Sequence, residues 1–430
     1  MSKRLIALAL VMTFGLALGA NIVSAEDERS ATAALVAAES AEKKEAAGTT
    51  GSDAAKPDAE GTLSLLNLRS RMLEHYYPLL ALEENIKTLE EWDYKRTEDE
   101  LRDQLNETAN KQWGLIMMSS VEPMAGELAQ AQLQMQYDAL RDAFDDVRDG
   151  KLQKDNEGVK RQLRNLQNQT VIVAESLYIT LKGLEAQDAS LTRTIASLGR
   201  TEQEMALREK LGQISALQLQ QVQLGAVQAE SGQKTLRMNM DNILMQLKAM
   251  SGVELDQSLA LAALPTVTAE QVEAMSLEKD RASAQEASYE LYDVKKTYDD
   301  AKTAYEDARK EYGEYSKKNE WMQAKHTWQA AQYTYENAKQ GYELKFRTLY
   351  AQVKDAAQII SAKREALAAQ EKSYQASALK YKQGTISANE LANAGDDLAK
   401  VKDELASAER DLLTQYRSYQ WAVQYGILNS

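Results

Sequence analysis

A reactive site needs nucleophiles, general bases, metal ligands or phosphate cradles within reach of one another, and this chain has few of them. Cysteine is absent, and the two histidines, His75 and His326, lie far apart in the sequence. No HExxH, GxSxG or Gly-rich phosphate loop occurs. The many acids fall in stretches such as KTYDDAKTAYEDARKEY, where interspersed Lys and Arg make a solvated helix face the expected cause. His326, in MQAKHTWQ, reads as a surface or packing residue. The expectation is a protein that is not an enzyme and holds no metal or cofactor.

What does recur is a small loop. ALREKLGQISALQL at residues 206–219 returns as ALKYKQGTISANEL at 378–391, with eight of fourteen positions identical. One copy carries Lys210, Gly212, Gln213, Ile214 and Ser215; the other carries Lys382, Gly384, Thr385, Ile386 and Ser387. Gly tolerates the positive φ that ends a helix, and a following Ser caps the next one. The Ile between them is left either as an apolar knob for a partner or as the core-facing residue of an ordinary turn.

Such loops need long helices to hold them, and proline usage supplies these. After Pro57 only Pro78, Pro123 and Pro265 remain, which predicts helices through most of 124–264 and 266–430. Leu291, Tyr298, Tyr305 and Tyr312 recur every seven residues, with Val294, Ala301, Ala308 and Tyr315 between them. A second seam sets Trp321, Trp328, Tyr335, Tyr342 and Leu349 against Ala324, Ala331 and Ala338. GEYSKKNE at 313–320 reads as a reversal between the seams. The layout predicted is a helix over 284–312 antiparallel to one over 321–383, with a return over 388–424.

The first half repeats the scheme, with a helix starting in LLALEENIKTLEEWDYKRTEDEL, a long one over about 154–210 and a return over 217–250. Leu177, Tyr178, Lys182 and Ala196 match Leu349, Tyr350, Lys354 and Ala368 at a constant offset of 172. Duplication explains this. The fold class is therefore all-α, built of tandem long antiparallel hairpins. The first repeat is read as 61–264, with an insertion at about 106–153, and the second as 265–430. The insertion holds WGLIMMSSV (113–121), read as a buried loop, as a segment dipping into a membrane surface or as one packing against a neighbouring chain.

MSKRLIALALVMTFGLALGANIVSA (1–25) is read as a secretory signal peptide, and 26–60, rich in Ala, Glu and Ser, as a disordered leader. With a net charge of −14, an exported chain is a poor partner for nucleic acid.

The tandem halves, the leader, TLSLLNLRSRMLEHYYPLLALEENI and the Lys-x-Gly-x-Ile-Ser loops, followed by Leu219 or by Leu391 and Ala394, resemble the TolC-type outer-membrane efflux proteins. The resemblance covers roughly 61–430. It implies three copies closing a twelve-helix tunnel, with the Gly loops as docking tips for a membrane-fusion adaptor that leads to an inner-membrane transporter. It also implies substrates passing passively, and a place in the cell envelope or outer membrane. It departs from the pattern in one respect: members insert strands between the helices of each half, and neither half here offers two alternating runs of about ten residues. The resemblance also puts carboxylates just after the second tip at a narrowing of the tunnel. Glu390 matches that position, Asn393 stands where a second acid is common, and the first half has Gln218 and Gln221. Glu390 is thus either a lumen residue favouring cations or a solvated glutamate at a helix start. Unchanged ion selectivity of a reconstituted assembly after Glu390→Gln would decide for the second. The rival reading of the whole chain is an envelope scaffolding coiled coil without a conduit.

Overall fold

The computed structural model describes residues 58–59, 61–118, 123–313 and 319–428. The signal peptide and most of the leader lie outside them. Its described elements are β1 (Thr62–Leu63), α1 (Leu65–His75), α2 (Tyr77–Glu90), α3 (Tyr94–Met118), α4 (Pro123–Arg148), α5 (Lys151–Lys210), α6 (Ala216–Ser251), β2 (Ala260–Leu261), α7 (Ala269–Glu273), α8 (Leu277–Ala287), α9 (Tyr289–Tyr312), α10 (Asn319–Lys382) and α11 (Ala388–Tyr425). Proline behaves as its chemistry demands: Pro78 stands in the first turn of α2, Pro123 opens α4, and Pro265 lies in the linker between the halves.

The long helices follow the predicted bounds within a few residues, and α10, at 64 residues, is about 96 Å long. Antiparallel pairing of α9 with α10 is fixed by its rings. Tyr298 stacks on Tyr335 with centroids 5.8 Å apart, and Tyr305 stacks on Trp328 at 4.9 Å while also meeting Trp321. The chain therefore does reverse after Gly313, whose φ is +75°. Residues 314–318 of that reversal lie outside the described ones.

Three expectations need correction. The helix placed over 284–312 breaks at Ser288, whose extended backbone (ψ 121°) ends α8 and whose hydroxyl caps α9 by accepting from Leu291 N–H. The helix starting in 79–101 breaks at 91–93, where Asp93 accepts from the N–H of Arg96 and so starts α3. WGLIMMSSV, read as a buried loop, is helix over its described residues 113–118, and it belongs to an insertion that is helical over most of its length. That insertion is the end of α3 and all of α4, an antiparallel hairpin held by Arg102 over the Phe144 ring and by Gln112 bonding Gln134.

At the waist both halves are pinned by a buried tyrosine on their long helix. The Tyr178 hydroxyl lies 2.9 Å from Leu63 O and 2.8 Å from Ala262 O, joining the start of the first repeat to its end beside the parallel β1–β2 pair. The Tyr342 hydroxyl lies 2.9 Å from Ala284 O and 3.1 Å from Gly426 O, doing the same for the second repeat. Burial pushes both phenols above the usual range, so each stays a donor. Lys182 donates to Leu261 O in β2 and its counterpart Lys354 to Val272 O in α7, tying the elements on either side of Pro265 to the two long helices. Around these ties lie the two apolar cores, one with Leu68, Ile86, Val171 and Leu247, the other with Phe346, Val353 and Ala422.

Candidate docking tips

Below the waist the four long segments lie side by side in the order α6, α5, α11, α10. Arg237 pairs with Asp188 across α6 and α5. Lys363 pairs with Glu404, and Arg364 with Glu409, across α10 and α11. Between α5 and α11, Arg193 meets Asp403 and Arg200 meets Asp396, two pairs one heptad apart. These pairs are about one-third exposed, so each adds roughly 0.2–1 kcal/mol and mainly sets register. Antiparallel packing of α5 and α11 brings the two repeated loops to one end of the molecule. Asn389, in the first turn of α11, bonds Glu204 near the end of α5 at 3.2 Å.

The two loops are built alike. Lys210 and Lys382 are the exposed last residues of α5 and α10. Gly212 (φ +71°) and Gly384 (φ +70°) then leave the helix, donating to Glu209 O and Tyr381 O. Gln213 N–H reaches back to Arg208 O and Thr385 N–H to Lys380 O, completing the same two-bond C-terminal cap twice. Ser215 and Ser387 cap the next helices, each in a reciprocal box with Gln218 or Glu390. Only glycine holds φ near +70° without strain, and a Cβ at either site would otherwise meet open space.

Ile214 and Ile386 are half-buried rather than fully presented. The exposed apolar side chains of the tips are Leu207, Leu211 and Leu217 on the first and Leu379 and Tyr381 on the second. Residue pattern alone did not single these out, because their positions read equally well as inward-facing. Glu390 is exposed and accepts Ser387 N–H at 2.7 Å, which holds its carboxyl below the usual range. Asn393 is exposed one turn later.

Among the described residues no cluster of His, Asp and Glu could hold a metal ion, and no helix is long and apolar enough to cross a membrane. No family model matches the sequence, and no curated protein matches it. Solved structures do. Those it is similar to include outer-membrane channels. The structure of CusC, described through its folding and transmembrane channel formation, shares 14% identity at a TM-score of 0.49, covering 84% of this chain and 96% of that one. A membrane protein from Pseudomonas aeruginosa gives 10% and 0.49, covering 84% and 90%, and the outer-membrane channel OprN gives 12% and 0.48, covering 85% and 90%.

Proposed function

We propose that the chain is a TolC-like component of the cell envelope, three copies of which close a helical tunnel that docks a membrane-fusion adaptor through both tips and passes substrates passively toward the exterior. The observation that carries this reading is the pair of equivalent Gly-x-Ile-Ser tips held together at one end of a four-helix curtain whose two edges are unlike. The α6 edge exposes Leu217, Leu224, Met238 and Met245, spaced at seven or fourteen residues, and the α10 edge exposes Leu344, Ile359 and Leu379. An edge of one kind packing on an edge of the other is a heterologous contact, and such contacts close into rings when the rotation allows. Export, the adaptor, the inner-membrane transporter, and Glu390 with Asn393 as a narrowing of the tunnel belong to the same proposal.

Sedimentation of the exported protein should give an elongated trimer. A strictly monomeric chain at high concentration, even with adaptor added, would favour the scaffolding reading. Gly384→Glu with Ile386→Glu should abolish capture by a membrane-fusion adaptor that the wild type captures, while far-ultraviolet circular dichroism stays helical. Capture surviving these changes, and surviving Gly212→Glu with Ile214→Glu added to them, would remove the tips from the interface.

A further inference from the structure

The α3–α4 hairpin belongs to neither tip nor tunnel wall. Its main contact outside itself is at its base, where Lys151 pairs with Asp146, Gln153 bonds Val147 O and Asn156 bonds Tyr94. From there it leads away from the N-terminal end of α5, the end opposite the Gly loops. The 25 residues of α3 place its described end, Met118, about 37 Å from its start at that base.

That far end is where apolar surface is least expected. From Gln112 to Val121 no residue is charged, and α3 finishes Trp113-Gly114-Leu115-Ile116-Met117-Met118. Trp113 is 65% exposed and Ile116 45% exposed, so the buried-loop reading of WGLIMMSSV fails for its described part. The shaft below is the reverse. Between 94 and 148 stand eleven acidic and six basic residues, many paired along the helix, as Arg102 is with Glu98 and Asp99. The hairpin is thus a polar stalk with an uncharged, Trp-bearing last turn.

We infer that this end is a lipid-docking tip, the last turn of α3 entering the headgroup boundary of a bilayer through Trp113, Leu115 and Ile116. Three observations favour lipid over a protein groove. Trp113 and Ile116 stand exposed near the described end of α3, far from the hairpin's base, so they form a terminal patch and not the wall of a groove between packed elements. Its anchor is an indole, whose amphipathic ring prefers the level of the headgroups. Its uncharged run is too short to span a bilayer and ends at Glu122, so it enters and goes no deeper. Because the stalk is acidic, the attachment is apolar and not electrostatic. It does not require trimer formation.

The test is co-flotation of the protein, purified after export, with phosphatidylcholine vesicles. Wild type should float, should float equally at high salt, and should float less well when phosphatidylglycerol is added. Trp113→Ser with Ile116→Ser should weaken flotation by at least about tenfold, whereas Tyr333→Ser, removing an exposed aromatic of α10, should leave it unchanged. Wild type failing to float, the double variant floating undiminished, or binding that appears only with anionic lipid would each overturn the inference. So would a double variant that floats normally but sediments as a smaller species, since the tip would then meet a second copy. Sedimentation of the same samples separates this outcome from the tunnel reading: a trimer that does not float sinks only the lipid tip, and a floating monomer sinks only the tunnel.

Discussion

Glu175→Ala is expected to destabilise the waist by about 3–5 kcal/mol, seen as a lower guanidinium midpoint of the Trp421 fluorescence transition. Glu175, on α5 in the first repeat, is 5% exposed, yet its partners come from the second. Arg417 on α11 donates to both carboxylate oxygens, and the Trp421 indole N–H donates to Oε2 at 2.9 Å. Arg417 is itself only 24% exposed and has one other acceptor, Gln420. Removing the acid therefore strands a largely desolvated guanidinium and an indole N–H together, which costs far more than the ion pair contributes net. Glu175→Gln should be milder, since an amide oxygen still accepts. Glu175→Leu combined with Arg417→Met should recover much of the loss, because no charge remains to be solvated. A midpoint for Glu175→Ala equal to wild type would show that water reaches this cluster freely. The consequence extends to the tips. The Glu175–Arg417 tie and the two Arg–Asp pairs below it set α11 against α5, and that register places Asn389, two residues after Ser387, beside the end of α5.

The repeated loops and helix bounds were legible because they rest on local rules: glycine's freedom at positive φ, serine's capping oxygen and the heptad spacing of aromatic residues. What stayed hidden depends on partners distant in sequence. The offset of 172 pairs Tyr178 with Tyr350, yet the residue that ties the second repeat together is Tyr342, two turns earlier. The Tyr350 hydroxyl instead lies at 3.5 Å from Met275 O, and its ring packs on Tyr419. The two halves share the helix but not the point where the crossing chain meets it: Leu63 O and Ala262 O lie at Tyr178, Ala284 O and Gly426 O at Tyr342. Likewise Glu175 sits in a helix full of polar residues, and nothing in its neighbours announces a partner 242 positions away. The α3–α4 hairpin was missed for a different reason. Helix and loop were both compatible with the insertion, and only the packing of Phe144 beneath Arg102 decided between them.

Gly426→Ala should be the most damaging of the alanine substitutions at positive-φ glycines, lowering stability by about 3–5 kcal/mol. All of these glycines share φ near +70°, where a Cβ adds about 1–2 kcal/mol of backbone strain. They differ in what the Cβ meets. At Gly212 and Gly384 it meets nothing within 4 Å, so alanine there carries the strain alone. At Gly252 it comes 2.3 Å from the Cβ of His75, which no rotamer change moves, so relief there needs a shift of the chain at the exposed C-terminal end of α1. At Gly426 it falls 2.2 Å from both Cα and N of Ser288, and 2.5 Å from the carbonyl carbon of Ala287. That neighbour is backbone, at the break between α8 and α9, so relief needs a shift of chain. Such a shift pulls Ala284 O and Gly426 O off the Tyr342 hydroxyl, which is buried between them. Thermal unfolding of Gly426→Ala beside Gly384→Ala checks the argument, since the two share the strain and differ only in the clash. Equal melting temperatures would mean that α11 ends without touching the break, and that the second repeat is closed by its apolar core alone.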